Sequence, residues 1–232
     1  MADSSTLRVC VVIAAYNEAD TVGQVVAGAK RHVPDVLVVD DGSTDATADE
    51  ATRAGARVLR HASNMGKGHA VRTGITQALL LDCTHVLLMD ADMQHDPADI
   101  PALLTTARTG RGDFVIGERP FSRDAMPAAR FYTNTISSRV ISRFFIGTEV
   151  ADTQSGFRLV RSHLLRNIRL TGRGYEIETE MLIKVAREGA QIERAAIRLR
   201  YDGARGKLRP IRDTTRTCFL AVRYRFFPKR WA

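Results

Sequence analysis

Between residues 7 and 117 short apolar runs alternate with longer amphipathic stretches. The runs at 8–14, 36–39, 57–59, 84–89 and 114–116 are rich in Val, Ile and Leu. Such runs predict buried strands. The stretches at 21–31, 45–54, 68–81 and 98–109 space their apolar residues as helices do. Strands alternating with helices of this length predict an α/β domain, a mostly parallel Rossmann-like sheet with helices on both faces. Ligands of such sheets bind outside the carboxyl ends of the strands.

Beyond residue 117 the texture changes. Residues 130–146 read as an amphipathic helix with Ile136, Val140, Phe144 and Phe145 on or near one side and Arg139 and Arg143 among them. A polar segment follows at 152–158, then a helix at 177–188 and a strand at 191–201. The last residues interleave Phe219, Leu220, Val222, Tyr224, Phe226 and Phe227 with basic side chains, a C-terminal amphipathic element. We expect a catalytic domain over 1–204, and 205–232 as a basic, aromatic segment of the same domain. There is no internal repeat.

At 232 residues the chain is long enough for one full core. No stretch approaches the ~18 to 20 apolar residues of a membrane span, and the first residues lack the basic and apolar regions of a signal peptide. A cytoplasmic chain without a transmembrane segment is expected. Cys10, Cys83 and Cys218 are distant and odd in number, as buried free thiols would be. The net charge of +8 is concentrated. Residues 205–232 hold nine Lys or Arg and a single acid, Asp213. Such a tail suits phosphates of substrate, lipid or nucleic acid.

The candidate chemistry lies where the strands end. Val86-Leu87-Leu88-Met89 lead into Asp90-Ala91-Asp92-Met93-Gln94. In an extended segment residues i and i+2 point the same way, so Asp90, Asp92 and Gln94 are expected to converge as hard oxygen ligands for Mg²⁺ or Mn²⁺. A metal so placed also holds a diphosphate, as in a nucleotide-sugar donor site. Tyr16-Asn17-Glu18 follows the first run and Asp40-Asp41-Gly42-Ser43 the second, on the same edge. His95 is expected to support the site and not to ligate, since such a metal prefers oxygen. Neither a Walker loop nor G-x-G-x-x-G is present, which excludes a P-loop enzyme and a Rossmann dehydrogenase.

These motifs, in this order, resemble those of family 2 glycosyltransferases of the GT-A fold, on their polyprenyl-phosphate branch, which includes dolichyl-phosphate mannose and glucose synthases. The resemblance rests on Ala15-Tyr16-Asn17-Glu18, Val39 to Asp45, Asn64-Met65-Gly66-Lys67-Gly68, Asp90 to His95 and Asp152 to Arg158. It implies that Ala15, Tyr16, Glu18, Asp41, Lys67, Asp90 and Ala91 line the nucleotide-sugar site. Tyr16 would lie against the nucleoside, Glu18 at the ribose or base, and Asp41 would accept from a base N–H. A carboxylate accepts equally from uracil or guanine, so the base stays open. Asp40, Thr44 and Asp45 are expected to serve their turn.

The resemblance further implies one inverting displacement onto a lipid-phosphate acceptor at a membrane surface. An alcohol acceptor needs a general base. A phosphate monoester, with a second pKa of about 6, is already a nucleophilic anion at neutral pH. It needs cations instead, and Arg119 and Arg130, with Arg205 and Lys207 of a basic loop, are expected to supply them. Asp152 would orient acceptor or sugar hydroxyls, or act as base for an alcohol. Glu178 and Glu180 are further candidates or a solvated helix face. The helix at 130–146 and the tail are expected to hold the protein at an anionic membrane face. The rival readings are a hydroxyl acceptor, a sugar-1-phosphate nucleotidyltransferase, whose Gly-rich loop is absent, and a nucleic-acid binder, which the upstream acids do not need; nucleic acid is not expected as a partner. Oligomeric state stays open.

Overall fold

A computed structural model describes residues 7–110, 112–119, 135, 138–147 and 149–198. Its seven-stranded sheet is built from β1 (Val9–Ala15), β2 (Asp35–Asp40), β3 (Arg57–Arg60), β4 (His85–Asp90), β5 (Phe114–Glu118), β6 (Arg158–Arg161) and β7 (Ile192–Ala196). They lie in the order β3-β2-β1-β4-β6-β5-β7. All neighbours are parallel except β6, which runs antiparallel to β4 and β5. The first four strands and their spacing follow the apolar runs. The insertion of β6 does not, because Arg158-Leu159-Val160-Arg161 is a short run framed by arginines and follows directly on the polar segment at 152–158.

Alternation along the strands divides the core into two layers. Val9, Val11, Ile13 and Ala15 face α1 (Ala19–Lys30), α2 (Thr47–Arg53) and α4 (Ile100–Thr109), whose Val22, Val25, Ala51, Ile100 and Leu103 are buried there. Cys10 and Val12 face the other way, toward α3 (Lys67–Leu80), α5 (Ser162–Asn167) and α6 (Glu176–Arg187). A β-strand presents successive side chains to opposite faces, so helices on both sides are what such fully apolar strands require. Cys10 and Cys83 are buried free thiols, and burial pushes the Cys10 thiol up to about 12.

Two local outcomes differ from the sequence-based expectation. The strand expected over 191–201 covers Ile192–Ala196 and lies parallel to β5. Within the helix expected over 130–146, of which residues 135 and 138–146 are described, Ser142–Ile146 adopts π-helical bonding closed by Gly147 at φ 76°. Its buried side chains are Ser138, Ile141 and Ser142, whereas Val140 and Phe144 are 43% and 62% exposed. Two residues of its apolar side, Val140 and Phe144, are thus turned outward. Ser142 explains the register: its hydroxyl donates to the Val150 carbonyl and accepts the Val150 N–H, fixing that side inward.

The sheet delivers its loops to one edge. The carboxyl ends of β1, β2 and β4 meet the start of β6, since Leu88 pairs with Arg158 and Ala14 with Asp90. Because β6 is antiparallel, the segment preceding it, 152–157, arrives at the same edge. No helix among the described residues is long and apolar enough to cross a membrane.

Candidate active site

The first two loops of that edge are sewn together by backbone bonds. Asn17, in the left-handed region at φ 50°, donates its N–H to Ser43 Oγ, and its side-chain oxygen accepts the Thr44 N–H, both at 2.9 Å. The Glu18 N–H donates to Thr47 Oγ1 at 2.8 Å, and the Ala19 N–H to Asp45. Asn tolerates this conformation better than most residues. Asp40 is fully buried, accepts the Ser43 N–H and pairs with Arg60 at 3.1 Å. Asp40, Thr44 and Asp45 therefore hold the turn, and Tyr16 and Glu18 stand half-buried on its rim, with Ala15 buried beneath.

Asp41 is 2% exposed. Its carboxylate accepts from the Met65 N–H at 3.0 Å, the Gly66 N–H at 2.7 Å and the His61 ring at 2.7 Å, while the other His61 nitrogen meets Thr73 Oγ1. A carboxylate has about four lone-pair sites, so one direction is left for a ligand. Gly42, at φ 72°, lets the backbone pass the Ser63–Asn64 peptide where a Cβ would clash.

Strand alternation does not bring Asp90, Asp92 and Gln94 together. β4 ends at Asp90, and the chain then bends: Met93 adopts φ 60° and the Gln94 N–H donates to Asp92 Oδ1 at 3.0 Å. A tight turn replaces the extended strand that was expected here. Burial and the neighbouring Asp90 push the Asp92 carboxyl up to about 6. His95 is buried against Phe157, its ring centroid 5.3 Å away, with Nδ1 4.0 Å from Asp90 Oδ2. Burial lowers its pKa to about 4, so it is neutral at pH 7.

Asp92, raised by burial and by its neighbour Asp90, is an acid that a divalent cation would relieve, and Asp90, Asp92 and Gln94 are residue types that could offer it hard oxygen donors. Among the described residues no three His, Cys, Asp or Glu side chains form a metal-holding cluster. A cation here would need diphosphate or water oxygens to complete its shell. Ala91 lies buried behind the turn.

Lys67, the first residue of α3, reaches into this group. Its ammonium lies 2.7 Å from Asp90 Oδ1, 2.7 Å from Glu178 Oε1 and 4.9 Å from the centre of the Tyr175 ring. Burial opposes its charge, but Asp90 and Glu178 outweigh it and raise the pKa. Asp90 is correspondingly lowered, since Lys67 and His95 overcome burial. Burial holds Glu178 above the usual carboxylate range. Glu178 and Glu180 are 6% and 0% exposed, not a solvated face. Glu180 accepts from the N–H groups of Thr171 and Gly172 and from the Thr171 hydroxyl. It thereby shapes the loop whose Arg173 carbonyl accepts the Gly68 N–H.

Arg119 and Asp152 meet each other: Arg119 Nε donates to Asp152 Oδ2 at 2.6 Å, and Asp152 is fully buried. Arg158, also fully buried, donates to the carbonyls of Ser155 at 2.6 Å, Thr153 at 2.8 Å and Glu178. The site thus gathers Asp90, Asp92, Lys67, Arg119 and Asp152, with Glu18 close enough to Asp92 to act on its charge. Arg130, Arg205, Lys207 and the whole 205–232 segment lie outside the described residues. Sequence reasoning missed Arg158, Tyr175 and His61 as members of this network. The apolar stretch from Met181 to Val185 was the signal that α6 is buried and that its acids are too.

A doubly covered, mostly parallel sheet, with an acidic turn ending its fourth strand and polar loops on the same edge, defines a GT-A transferase. The similarities agree. Residues 10–169 match glycosyl transferase family 2. The chain is 34% identical to glycosyltransferase AglJ of Haloferax volcanii, over 88% of this chain and 68% of that one. It is 33% identical to the undecaprenyl-phosphate mannosyltransferase of Micrococcus luteus, over 80% and 81%. In fold it is similar to the glucosyl-3-phosphoglycerate synthase of Mycobacterium tuberculosis, crystallised with Mn²⁺, UDP-glucose and phosphoglyceric acid, at TM-score 0.75 and 21% identity, covering 96% of this chain and 80% of that one. The chain belongs to glycosyl transferase family 2, and its relatives put it on the polyprenyl-phosphate sugar synthase branch.

Proposed function

We propose that this glycosyltransferase moves a hexose, with inversion, from a GDP-mannose or UDP-glucose type donor to a polyprenyl or dolichyl phosphate. The observation that carries the acceptor reading is how the site's acids are paired. Asp152 is held by Arg119, while Asp90 and Glu178 share Lys67. Asp92 belongs to the metal turn. An alcohol acceptor needs a base free to take its proton, and Asp152, Asp90 and Glu178 each have one carboxylate oxygen tied to a cation. A phosphate monoester needs none. The names of the relatives, which include a polyprenol monophosphomannose synthase of Mycolicibacterium smegmatis, support the same acceptor.

In this reading Tyr16 covers the nucleoside, Glu18 meets the ribose or base, and the remaining lone pair of Asp41 accepts a base N–H, with Ala15 and Ala91 lining the cleft. Asp90, Asp92 and Gln94 would hold Mg²⁺ or Mn²⁺, which as a Lewis acid stabilises the departing diphosphate. Arg119, kept on Asp152 through Nε, would also meet the acceptor phosphate, an anion its guanidinium fork suits. Arg130, Arg205 and Lys207 would complete the cationic pocket. Val140 and Phe144, exposed beside Arg139 and Arg143, would give an apolar and basic face for peripheral docking at the cytoplasmic side of an anionic membrane.

The test is transfer from radiolabelled GDP-mannose and UDP-glucose to polyprenyl phosphate in the presence of Mn²⁺. Label that enters the organic phase supports the proposal. Label that stays in water on a hydroxyl product refutes the acceptor. A parallel thermal-shift series with GDP and UDP, with and without Mn²⁺, tests the donor site, because a ligand of the folded state raises the melting temperature. No metal-dependent shift with either nucleotide would overturn it.

A further inference from the structure

The placement of Lys67 has a consequence for how the metal site fills. Its backbone is clamped: a Cβ at Gly66 or Gly68, on either side, would collide with the Arg173 and Gly172 carbonyl regions. Its side chain is 17% exposed, and the ammonium at the end of the flexible four-carbon stem sits between two carboxylates, each at 2.7 Å. One of these, Asp90 Oδ1, is an oxygen of the metal turn. The other belongs to Glu178, whose Oε2 is buried without a hydrogen-bond partner. Asp92, by contrast, makes no ion pair among the described residues.

We propose that Lys67 is the resident counter-ion of the metal site. Its ammonium occupies Asp90 until a nucleoside diphosphate arrives, so that metal and nucleotide bind as a pair, and Glu178 is the positioning residue that keeps the ammonium within reach. This rests on the donor-site reading above and adds to it an order of binding. A dication entering alone must take an oxygen from the ammonium and stand beside its charge. The diphosphate removes both obstacles. It brings negative charge to the dication and offers the ammonium oxygens of its own. Glu178 then holds Lys67 from the far side, where the buried Oε2 has acceptor capacity to spare. Coupling of this kind is reciprocal, so metal tightens nucleotide by the factor by which nucleotide tightens metal.

The experiment is Mn²⁺ titration of the full chain, followed by the electron paramagnetic resonance signal of free Mn²⁺, without nucleotide and with GDP or UDP. For the unaltered protein we expect weak binding of Mn²⁺ alone and at least tenfold tighter binding with one of the nucleotides. Lys67→Met should bind Mn²⁺ alone about tenfold tighter than the unaltered protein, a modest part of the repulsion between neighbouring charges at an effective dielectric near 20. Its gain from nucleotide should shrink. Because Lys67→Met leaves Glu178 buried without its cation, Lys67→Met/Glu178→Gln is measured alongside it, and a thermal melt identifies the folded variant that decides. Glu178→Gln alone, which leaves Lys67 wholly to Asp90, should weaken Mn²⁺ binding further. Mn²⁺ affinity in the decisive Lys67 variant equal to or below that of the unaltered protein overturns the inference. If nucleotide fails to tighten Mn²⁺ in the unaltered protein, the donor-site reading falls and the paired binding built on it falls with it, whatever the variant does.

Discussion

Gly156 and Asp90 are fitted to each other: a Cβ on Gly156 would stand 2.9 Å from Asp90 Oδ2 and 3.4 Å from His95 Cε1. The antiparallel strand β6 thus brings its leading loop against the acid that ends β4, with room for hydrogen and nothing larger. Gly156→Ala is expected to push the Asp90 carboxylate aside without disturbing the sheet, because the obstructing atom is the end of a side chain. Mn²⁺-dependent nucleotide binding should weaken at least tenfold, about 1.4 kcal/mol, while the melting temperature of the free protein changes by less than ~3 °C, the equivalent of about 1 kcal/mol in a domain of this size. Calorimetric titration and a thermal melt check the two halves. Unchanged nucleotide affinity would mean that Asp90 does not serve the metal.

That fit was not legible in the sequence, although both residues were. Asp90, Asp92, Asp41 and Tyr16 follow apolar runs whose order implies a parallel sheet, so their shared edge is implied by pattern alone. Nothing local says that β6 lies between β4 and β5, because its pairing is with strands about 40 and 70 residues earlier. The expectation for Asp90, Asp92 and Gln94 assumed an extended strand where the chain turns: Met93 in the left-handed region is a feature that Met does not announce. Glu178 and Glu180 looked like a solvated face, since acids on a helix usually are. Only the loop and the strand packed on both sides of α6 make them interior groups.

Asp41 should prove sensitive to the number of donors around it. His61→Ala removes one of its three partners, and a hydrogen bond to a charged group is worth about 1.5–3 kcal/mol. A melting temperature lower by roughly 3–10 °C is expected. Asp41→Asn should cost more. Both Asp41 oxygens accept, so an amide nitrogen would face the Met65 or the Gly66 N–H. If Asp41→Asn melts at the temperature of the unaltered protein, the carboxylate is not what holds the Met65–Gly66 turn.

His85 gives the fold an acid-labile point away from the site. It lies at the start of β4, 5% exposed, with Nδ1 against Thr84 Oγ1 and Nε2 buried without a partner. Burial, then Arg161, lowers its pKa to about 4. The charged groups around it include Asp113, which favours protonation, and His163, which opposes it. With the folded pKa below the unfolded value of 6.5, the unfolded chain binds the proton first. The stability His85 contributes is therefore complete above pH 6.5 and is lost as pH falls from there toward 4. Urea denaturation at pH 7.5, 5.5 and 4.5 should show this loss, and His85→Gln should flatten it even where it lowers stability at every pH. An unaltered slope in the variant would assign the acid lability to other groups.

Arg158 tests whether a buried cation holds the site's frame together. A well-packed apolar residue often replaces a buried ion pair without loss, and Phe114 lies 5.6 Å from the guanidinium, so an apolar neighbour is at hand. Against that, the guanidinium satisfies three carbonyls from three places: Thr153, Ser155 and the start of α6 at Glu178. It also faces the charges of Glu178, Asp152 and Asp90. Burial lowers its pKa only to about 10, so it stays charged at neutral pH. Arg158→Leu strands the carbonyls and the acids together, and removing one side of a buried charge arrangement costs about 3–5 kcal/mol. The melting temperature should then fall by roughly 6–20 °C. Arg158→Lys keeps the charge but cannot span three carbonyls with one ammonium, so it should recover part of the loss. Equal losses in the two variants would place the stabilisation in the three tethers alone, and no loss in either would show that the loop before β6 is held by something other than Arg158.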